Sequence, residues 1–234
     1  MRPGLQRAIV AVTTMMTTFL VMLDMTIANV ALDHMRGTLS AGVDEITWVL
    51  TSFLVANAIS LPVSGWLTDL LGRKRLFIVA TAAFTITSGV CGAAPSLAVI
   101  VLMRFLQGLA GGPLVPLSQA TMMETFPATQ RGMAMAVWGV GIMFAPIIGP
   151  TLGGYITDNW SWRWVFYINI PVGVAAVVLA WLFVPDSTTE RPAVRRVDVT
   201  GLVLLVVGVA ALQYVLDRGQ REDWFESSLI VSLT

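Results

Sequence analysis

From Leu76 to Met103 the chain carries no charged residue. A run of that kind belongs in a bilayer, where roughly 20 mainly apolar residues make one crossing. It is too long for a single straight span. Gly92, Ala93, Ala94, Pro95 and Ser96 interrupt it, so it reads as two spans joined by a very short outer turn. Similar apolar stretches recur along the sequence, near 8–31, 46–68, 76–94, 97–118, 132–156, 164–184 and 199–216. The fold class is therefore an all-α membrane protein with seven spans.

Composition excludes the main alternatives. Hydrophobic residues make up 56% of the 234 residues and charged residues 12%, against about 25% charged in a soluble domain. A water-soluble enzyme and a disordered chain are both ruled out. Fourteen basic residues balance fourteen acidic ones, so there is no electrostatic footprint for a nucleic-acid partner. The single cysteine, Cys91, lies in an apolar run and forms no intrachain disulfide. The first apolar run is too long for a signal-peptide core and lacks a small-residue cleavage site, so it reads as the first span.

Basic residues in short loops set the orientation. One side holds Arg2, Arg7, Arg73, Lys74, Arg75, Arg131, Arg191, Arg195 and Arg196; the other holds Arg36, Arg163, Arg218 and Arg221. Nine against four puts the N-terminus in the cytoplasm. Residues 1–185 form a six-span unit. Residues 186–198, polar and containing Pro192, form a cytoplasmic linker. Residues 199–234 hold a seventh span and the opening of an eighth.

Two charges fall inside spans. Asp24 interrupts the first, and an ionisable group there is costly and marks function by default; the competing reading is a carboxylate simply hydrated near the outer surface. Arg104 interrupts the fourth. Asp24 is ~12 Å from the outer end of its helix and Arg104 ~10 Å from that of its own, at 1.5 Å per residue. Equal depth predicts an ion pair, with Gln107 one turn from Arg104 completing it. The arginine favours the charged acid and burial the neutral one, so small movements would load or release a proton. A purely structural salt bridge is the alternative.

Other signals are local. The string G-W-L-T-D-L-L-G-R-K-R, from Gly65 to Arg75, ends the second span and fills a tight inner loop. Gly65 and Gly72 permit close approach and a sharp turn. Asp69 is expected to cap the next helix or to pair with Arg73. In the fifth span Gly141, Ala145, Gly149 and Gly153 recur every four residues, a stripe for close helix contact. Pro146 and Pro150 follow the same spacing and predict a kinked, packed helix. Met15, Met16, Met22 and Met25 share a helix with Asp24 and read as core or lipid-facing. Trp160, Trp162 and Trp164, with Tyr155 and Tyr167, read as an interfacial aromatic belt.

Together these strings resemble the N-terminal part of a major facilitator superfamily transporter. Gly65 to Arg75 resembles the signature loop, including Asp69, Gly72, Arg73 and Lys74. Arg104 with Gln107, Gly108, Gly111 and Gly112 resembles the helix-four motif. Gly141, Pro146, Gly149, Pro150, Gly153 and Gly154 resemble the antiporter motif of drug exporters. L-D-M-T-I-A-N-V-A-L, with Asp24 and Asn29, and W-S-W-R-W-V-F-Y-I-N-I-P are similar to motifs of the fourteen-helix drug:proton antiporters. T-W-V-L-T-S-F-L-V-A-N-A-I-S-L-P, P-L-V-P-L-S-Q and L-D-R-G-Q-R-E-D-W-F narrow the likeness to the EmrB branch of the EmrB/QacA family. Leu70 and Asp33 depart from it, where a basic residue and a helix-ending proline are usual.

The resemblance implies a six-helix bundle of inverted three-plus-three repeats followed by a linker helix. It implies proton-driven export of hydrophobic drugs across the bacterial inner membrane, with no cofactor. Asp24, Asn29, Arg104 and Gln107 would then belong to the proton and substrate cavity. Gly65, Asp69 and Arg73 would gate the cytoplasmic side. Gly149, Pro150, Gly153 and Gly154 would seal against a helix of the other half. A periplasmic membrane-fusion adaptor and an outer-membrane channel are the partners implied. The family has fourteen helices, so these seven are expected to be the N-terminal half of a pump, or a membrane fragment without activity of its own. A retinal protein is excluded because the only lysine, Lys74, lies in a loop. A histidine-based intramembrane enzyme is excluded because the only histidine, His34, lies outside the spans.

Overall fold

A computed structural model describes residues 3–185, 199–219, 224 and 228–233. Among these residues all regular structure is helical. The first span is α1 (Pro3–Val30). Two short helices follow, α2 (Leu32–Leu39) and α3 (Val43–Ile46), the latter leading into α4 (Trp48–Leu71). The third span is α5 (Arg73–Ala93). The fourth is α6 (Leu97–Gly111) continued by α7 (Leu114–Thr125). The fifth is α8 (Arg131–Asn159). The sixth is α9 (Trp164–Tyr167) continued by α10 (Asn169–Phe183). Among the described residues six helices are long and apolar enough to cross a membrane. Beyond them, α11 (Val199–Arg218) packs against α4, and α12 (Ser228–Leu233) begins where an eighth helix is expected. The apolar part of α11, Val203–Leu216, is shorter than a full span. The linker 186–198, Arg2 and Arg221 lie outside the described residues.

Two boundaries differ from the sequence reading. The fourth span continues to Thr125, because the helix resumes immediately after Gly112 and Pro113. The chain also does not enter a loop after α1. Asp33 sits in the first turn of α2, where an acid is favoured by the helix dipole.

The packing has the symmetry of inverted repeats. α4 packs on α6, and α8 packs on α1. α5 packs on α6, and α10 packs on α1. α5 and α10 pack on each other. Exchanging the first three spans for the second three leaves this pattern unchanged, as inverted repeats require. The two closest seams are built with glycine. A Cβ at Gly108 would lie 2.8 Å from the Ala56 Cβ, and one at Gly112 would lie 2.7 Å from the Asn57 carbonyl oxygen. On the other seam, a Cβ at Gly149 would lie 2.8 Å from the Thr26 Cβ, and one at Gly153 would lie 2.9 Å from the Ile27 Cγ1.

The turn between α4 and α5 is one residue long. Gly72 ends one helix and starts the next at φ +82, a conformation that disfavours any Cβ. Arg73 forms an ion pair with Glu124 at the C-terminal end of α7. The expected role of Asp69 is thereby corrected. It does not cap α5, which has no side-chain cap, and it stays exposed while Arg73 turns to Glu124. The four-residue spacing brings side chains together only along a continuous helix, and the chain reverses at Gly72.

These seams generate a contrast. Gly108→Ala should destabilise the bundle by about 1–3 kcal/mol through overpacking. Gly139→Ala, where a Cβ meets nothing within 4 Å, should be neutral or slightly stabilising. Thermal unfolding of both purified variants checks this; equal midpoints would refute the glycine-seam account.

Candidate functional site

Helix α1 buries a row of polar residues, and most of them are satisfied locally. Thr13, Thr17 and Thr18 donate to carbonyls one turn back on their own helix. Asp24 has no such recourse, because a carboxylate needs donors and helix interior N–H groups are taken. Its donors come from other spans. Arg104 Nη1 donates to Asp24 Oδ2. Gln107 Nε2 donates to Oδ1 at 3.1 Å, and Asn169 Nδ2 donates to the same oxygen at 2.8 Å. Asp24 and Arg104 are both fully buried, so the reading of Asp24 as a hydrated surface carboxylate is excluded.

Arg104 is held from several sides. Its Nη1 also donates to Gln107 Oε1 at 3.0 Å, and its Nε donates to the Val49 carbonyl at 3.1 Å. The guanidinium carbon lies 4.2 Å from the Phe53 ring centroid and 5.7 Å from that of Phe166, within reach of cation–π attraction. Arg104 and Gln107 reach one carboxylate because they are three apart on α6. The network then passes outward. Asn169 Nδ2 donates to Ser88 Oγ at 3.0 Å, and Ser88 Oγ donates to the Phe166 carbonyl at 2.9 Å. Cys91 donates from Sγ to Gln107 Oε1 at 3.7 Å.

A cleft of about 440 Å³ opens beside this network. Met25, Thr26, Asn29 and Val30 from α1 line it, with Leu50, Phe53 and Leu54 from α4, Pro150 from α8, and Arg104. Asn29 is therefore not a member of the Asp24 network. It lies exposed on the cleft, whose lining includes Arg104 but not Asp24. A smaller apolar cavity of about 260 Å³ includes Met15 and Met16 with Phe19, Gly141 and Val172. Among the described residues no group of histidine, cysteine, aspartate or glutamate is placed to hold a metal ion.

The antiporter-motif residues divide between two faces of α8. Ala145, Gly149 and Gly153 are buried, and a Cβ at Gly149 or Gly153 would run into α1. Pro146 and Pro150 are exposed, and a Cβ at Gly154 would meet nothing within 4 Å. The expectation that Gly149 and Gly153 seal against another half is thus corrected: they seal against α1 of this bundle. One residue along a helix is a turn of about 100°, which carries Pro146, Pro150 and Gly154 onto the open face. α8 runs unbroken through both prolines. In the segment from Gly65 to Arg75, Gly65 is exposed, and Lys74 makes no ion pair among the described residues.

The aromatic cluster around Trp160 is mixed. Trp160, Trp164 and Tyr155 are exposed, but Trp162 is 4% exposed and packs edge-on against Phe166. It is a core residue rather than part of a belt. Beside it Arg163 Nη1 donates to the Gly92 and Ala94 carbonyls at 2.7 and 2.8 Å, closing the end of α5.

Sequence reasoning missed Asn169, Ser88 and the aromatic walls. Asn169 had a usable signal, being the one amide between Trp164 and Val184. Ser88 had none, since hydroxyls are common along α5 and most satisfy themselves.

The sequence matches the family described as Major Facilitator Superfamily over residues 14–233. It is 46% identical over 233 residues to the multidrug export protein EmrB of Escherichia coli strain K12, covering 99% of this chain and 45% of that protein. It is 44% identical over 235 residues to the fatty acid resistance protein FarB of Neisseria gonorrhoeae, covering 99% and 46%. The chain spans about half the length of the curated relatives it matches. Among solved structures, the xylose transporter XylE from E. coli in an inward open conformation superposes with a TM-score of 0.66 at 18% identity, covering 89% of this chain and 56% of that one. A proton symporter for D-xylose gives a TM-score of 0.68 at 16% identity, covering 96% and 64%. These two likenesses show the fold.

Breaking the buried pair on one side should cost more than removing it whole. Arg104→Met leaves a buried carboxylate and should destabilise by about 3–5 kcal/mol. Adding Asp24→Asn should recover part of that loss. Thermal unfolding of the single and double variants measures it; a double variant less stable than the single would contradict the pairing.

Proposed function

Because this chain belongs to the Major Facilitator Superfamily, we propose that it forms the N-terminal bundle of a proton-driven exporter of hydrophobic drugs. The observation that carries this reading is the buried Asp24–Arg104–Gln107 network, which meets the cleft through Arg104. Asp24 is the proton carrier. Arg104 holds the ionised acid and forms part of the cleft wall, and Gln107 bridges the two. Asn29 and the apolar lining of the cleft receive the drug. The multidrug export protein that resembles this chain supports the substrate class.

Alternating access needs two bundles rocking about a midplane site. The open face of α8, with Pro146, Pro150 and Gly154, is where a second bundle would close. On the inner side Gly65, Asp69 and Gly72 face the same partner, and Arg73 anchors their loop through Glu124. The protein lies in the bacterial inner membrane with its N-terminus in the cytoplasm. A periplasmic membrane-fusion adaptor and an outer-membrane channel complete the route. The proton gradient supplies the driving force, and no cofactor is required. Residues 1–234 alone are a bundle without transport of their own.

In proteoliposomes containing the complete two-bundle transporter, Asp24→Asn should retain drug binding but lose drug-dependent proton movement. Proton movement at the wild-type level would remove Asp24 from the mechanism. Residues 1–234 reconstituted alone should export nothing; drug accumulation by that segment would overturn the two-bundle requirement.

A further inference from the structure

Each oxygen of Asp24 receives only donors. Oδ2 receives Arg104, and Oδ1 receives Gln107 and Asn169. That arrangement suits an ionised carboxylate. A proton taken up from solvent creates a carboxylic O–H, which must find an acceptor. A buried donor left without one is costly.

Two neighbouring amides could turn an oxygen toward it. Gln107 is locked, because its Oε1 accepts from Arg104 and from Cys91. Turning it would set its N–H groups against two donors. Asn169 is free to turn. Its Nδ2 faces both Asp24 and Ser88, and among the described residues no hydrogen bond reaches its Oδ1. After a half-turn Oδ1 would accept from Asp24 and from the Ser88 hydroxyl. Ser88 would then leave the Phe166 carbonyl, which still accepts the Ile168 N–H. The Asn169 N–H groups then take the place where Oδ1 lies now and lose both acceptors, a cost that satisfying the carboxylic O–H has to outweigh.

We propose that Asn169, backed by Ser88, is a positioning residue whose amide reverses when Asp24 takes up its proton. The inference rests on the reading of Asp24 as the proton carrier. The reversal releases Ser88 of α5 from the carbonyl of Phe166 in α9, so proton uptake loosens the seam between the third and sixth spans. No bond is made or broken beyond the transfer of one proton to Asp24. The charged and titratable groups facing Asp24 are Arg104 from α6 and Cys91 from α5. α4 and α8 carry their charged residues only at their ends, α10 has none, and Tyr167 of α9 lies against Gly92.

The test uses the complete transporter in proteoliposomes, with two readouts. One is the pH profile of drug-dependent proton movement. The other is the difference infrared spectrum between low and high pH. Wild-type protein should show a side-chain amide carbonyl band that changes together with the carboxylic acid band of Asp24. Asn169→Leu should abolish the amide change and displace the midpoint of the pH profile by about one unit, the size expected for one hydrogen bond to a charged group. Ser88→Ala, a milder change in case the first variant does not fold, should displace the profile by less and shift the amide band. If both bands and both midpoints match wild type in the variants that fold, the proposal is overturned. Asp24→Asn in the same assay separates the two ideas. Coupling retained there defeats the reading of Asp24 itself. Coupling lost there, with Asn169 and Ser88 silent, defeats only the switch.

Discussion

A carboxylate without solvent contact governs the arrangement of this bundle. Asp24 is buried on α1, and its partners come from α6 and α10. Those partners lean on others in turn: Arg104 on the Val49 carbonyl of α4, and Asn169 on Ser88 of α5. The charge is satisfied only when these helices stand in one register. In a low-dielectric interior an unpaired charge is far costlier than a lost apolar contact. The network therefore specifies which helix lies beside which, whereas apolar packing against lipid-like neighbours distinguishes poorly among alternatives.

Close helix approach makes that network reachable. Arg104 and Gly108 sit one turn apart on α6, and Val49 and Phe53 one turn apart on α4. Gly108 lets α6 settle against the Phe53 backbone, and that closeness brings the Arg104 Nε to the Val49 carbonyl. The α1–α8 seam is the symmetry mate of this contact, but its glycines lie on the other partner. In the first seam they belong to the fourth span, and in the second to the fifth. The repeats share a contact geometry without sharing the residues that achieve it. This is why no similarity between the two sets of three spans is legible in the sequence.

What was legible follows from the same physics. Charges inside apolar runs stand out, and the fixed rise of a helix allowed the depths of Asp24 and Arg104 to be compared. Gly72 could be read because a one-residue reversal demands its φ. Contacts that depend on direction around a helix were harder. Gly149 and Gly154 belong to one motif, yet they look to opposite sides because a small offset in sequence is a large rotation. Asp69 and Arg73 were spaced as helix neighbours, but a helix break lay between them. Asn169 and Ser88 are neutral, and a neutral polar group in a span raises no alarm until its partner is known.

The position of Arg104 relative to the cleft bears on how a substrate and a proton could be coupled. Asp24 does not line the cleft, and Arg104 does. Its guanidinium holds the acid, and the residue, buried under Phe53, forms part of the wall behind the cleft. Under the proposed mechanism, a drug that drew the guanidinium toward the cleft would weaken its hold on Asp24, and a proton on Asp24 would weaken the same hold. The two events would share the charge of one residue, so under the proposed mechanism each must change the free energy of the other by the same amount. Thermodynamic reciprocity of this kind needs no long pathway; it needs one residue with two faces, and the seam at Gly108 is what places it there.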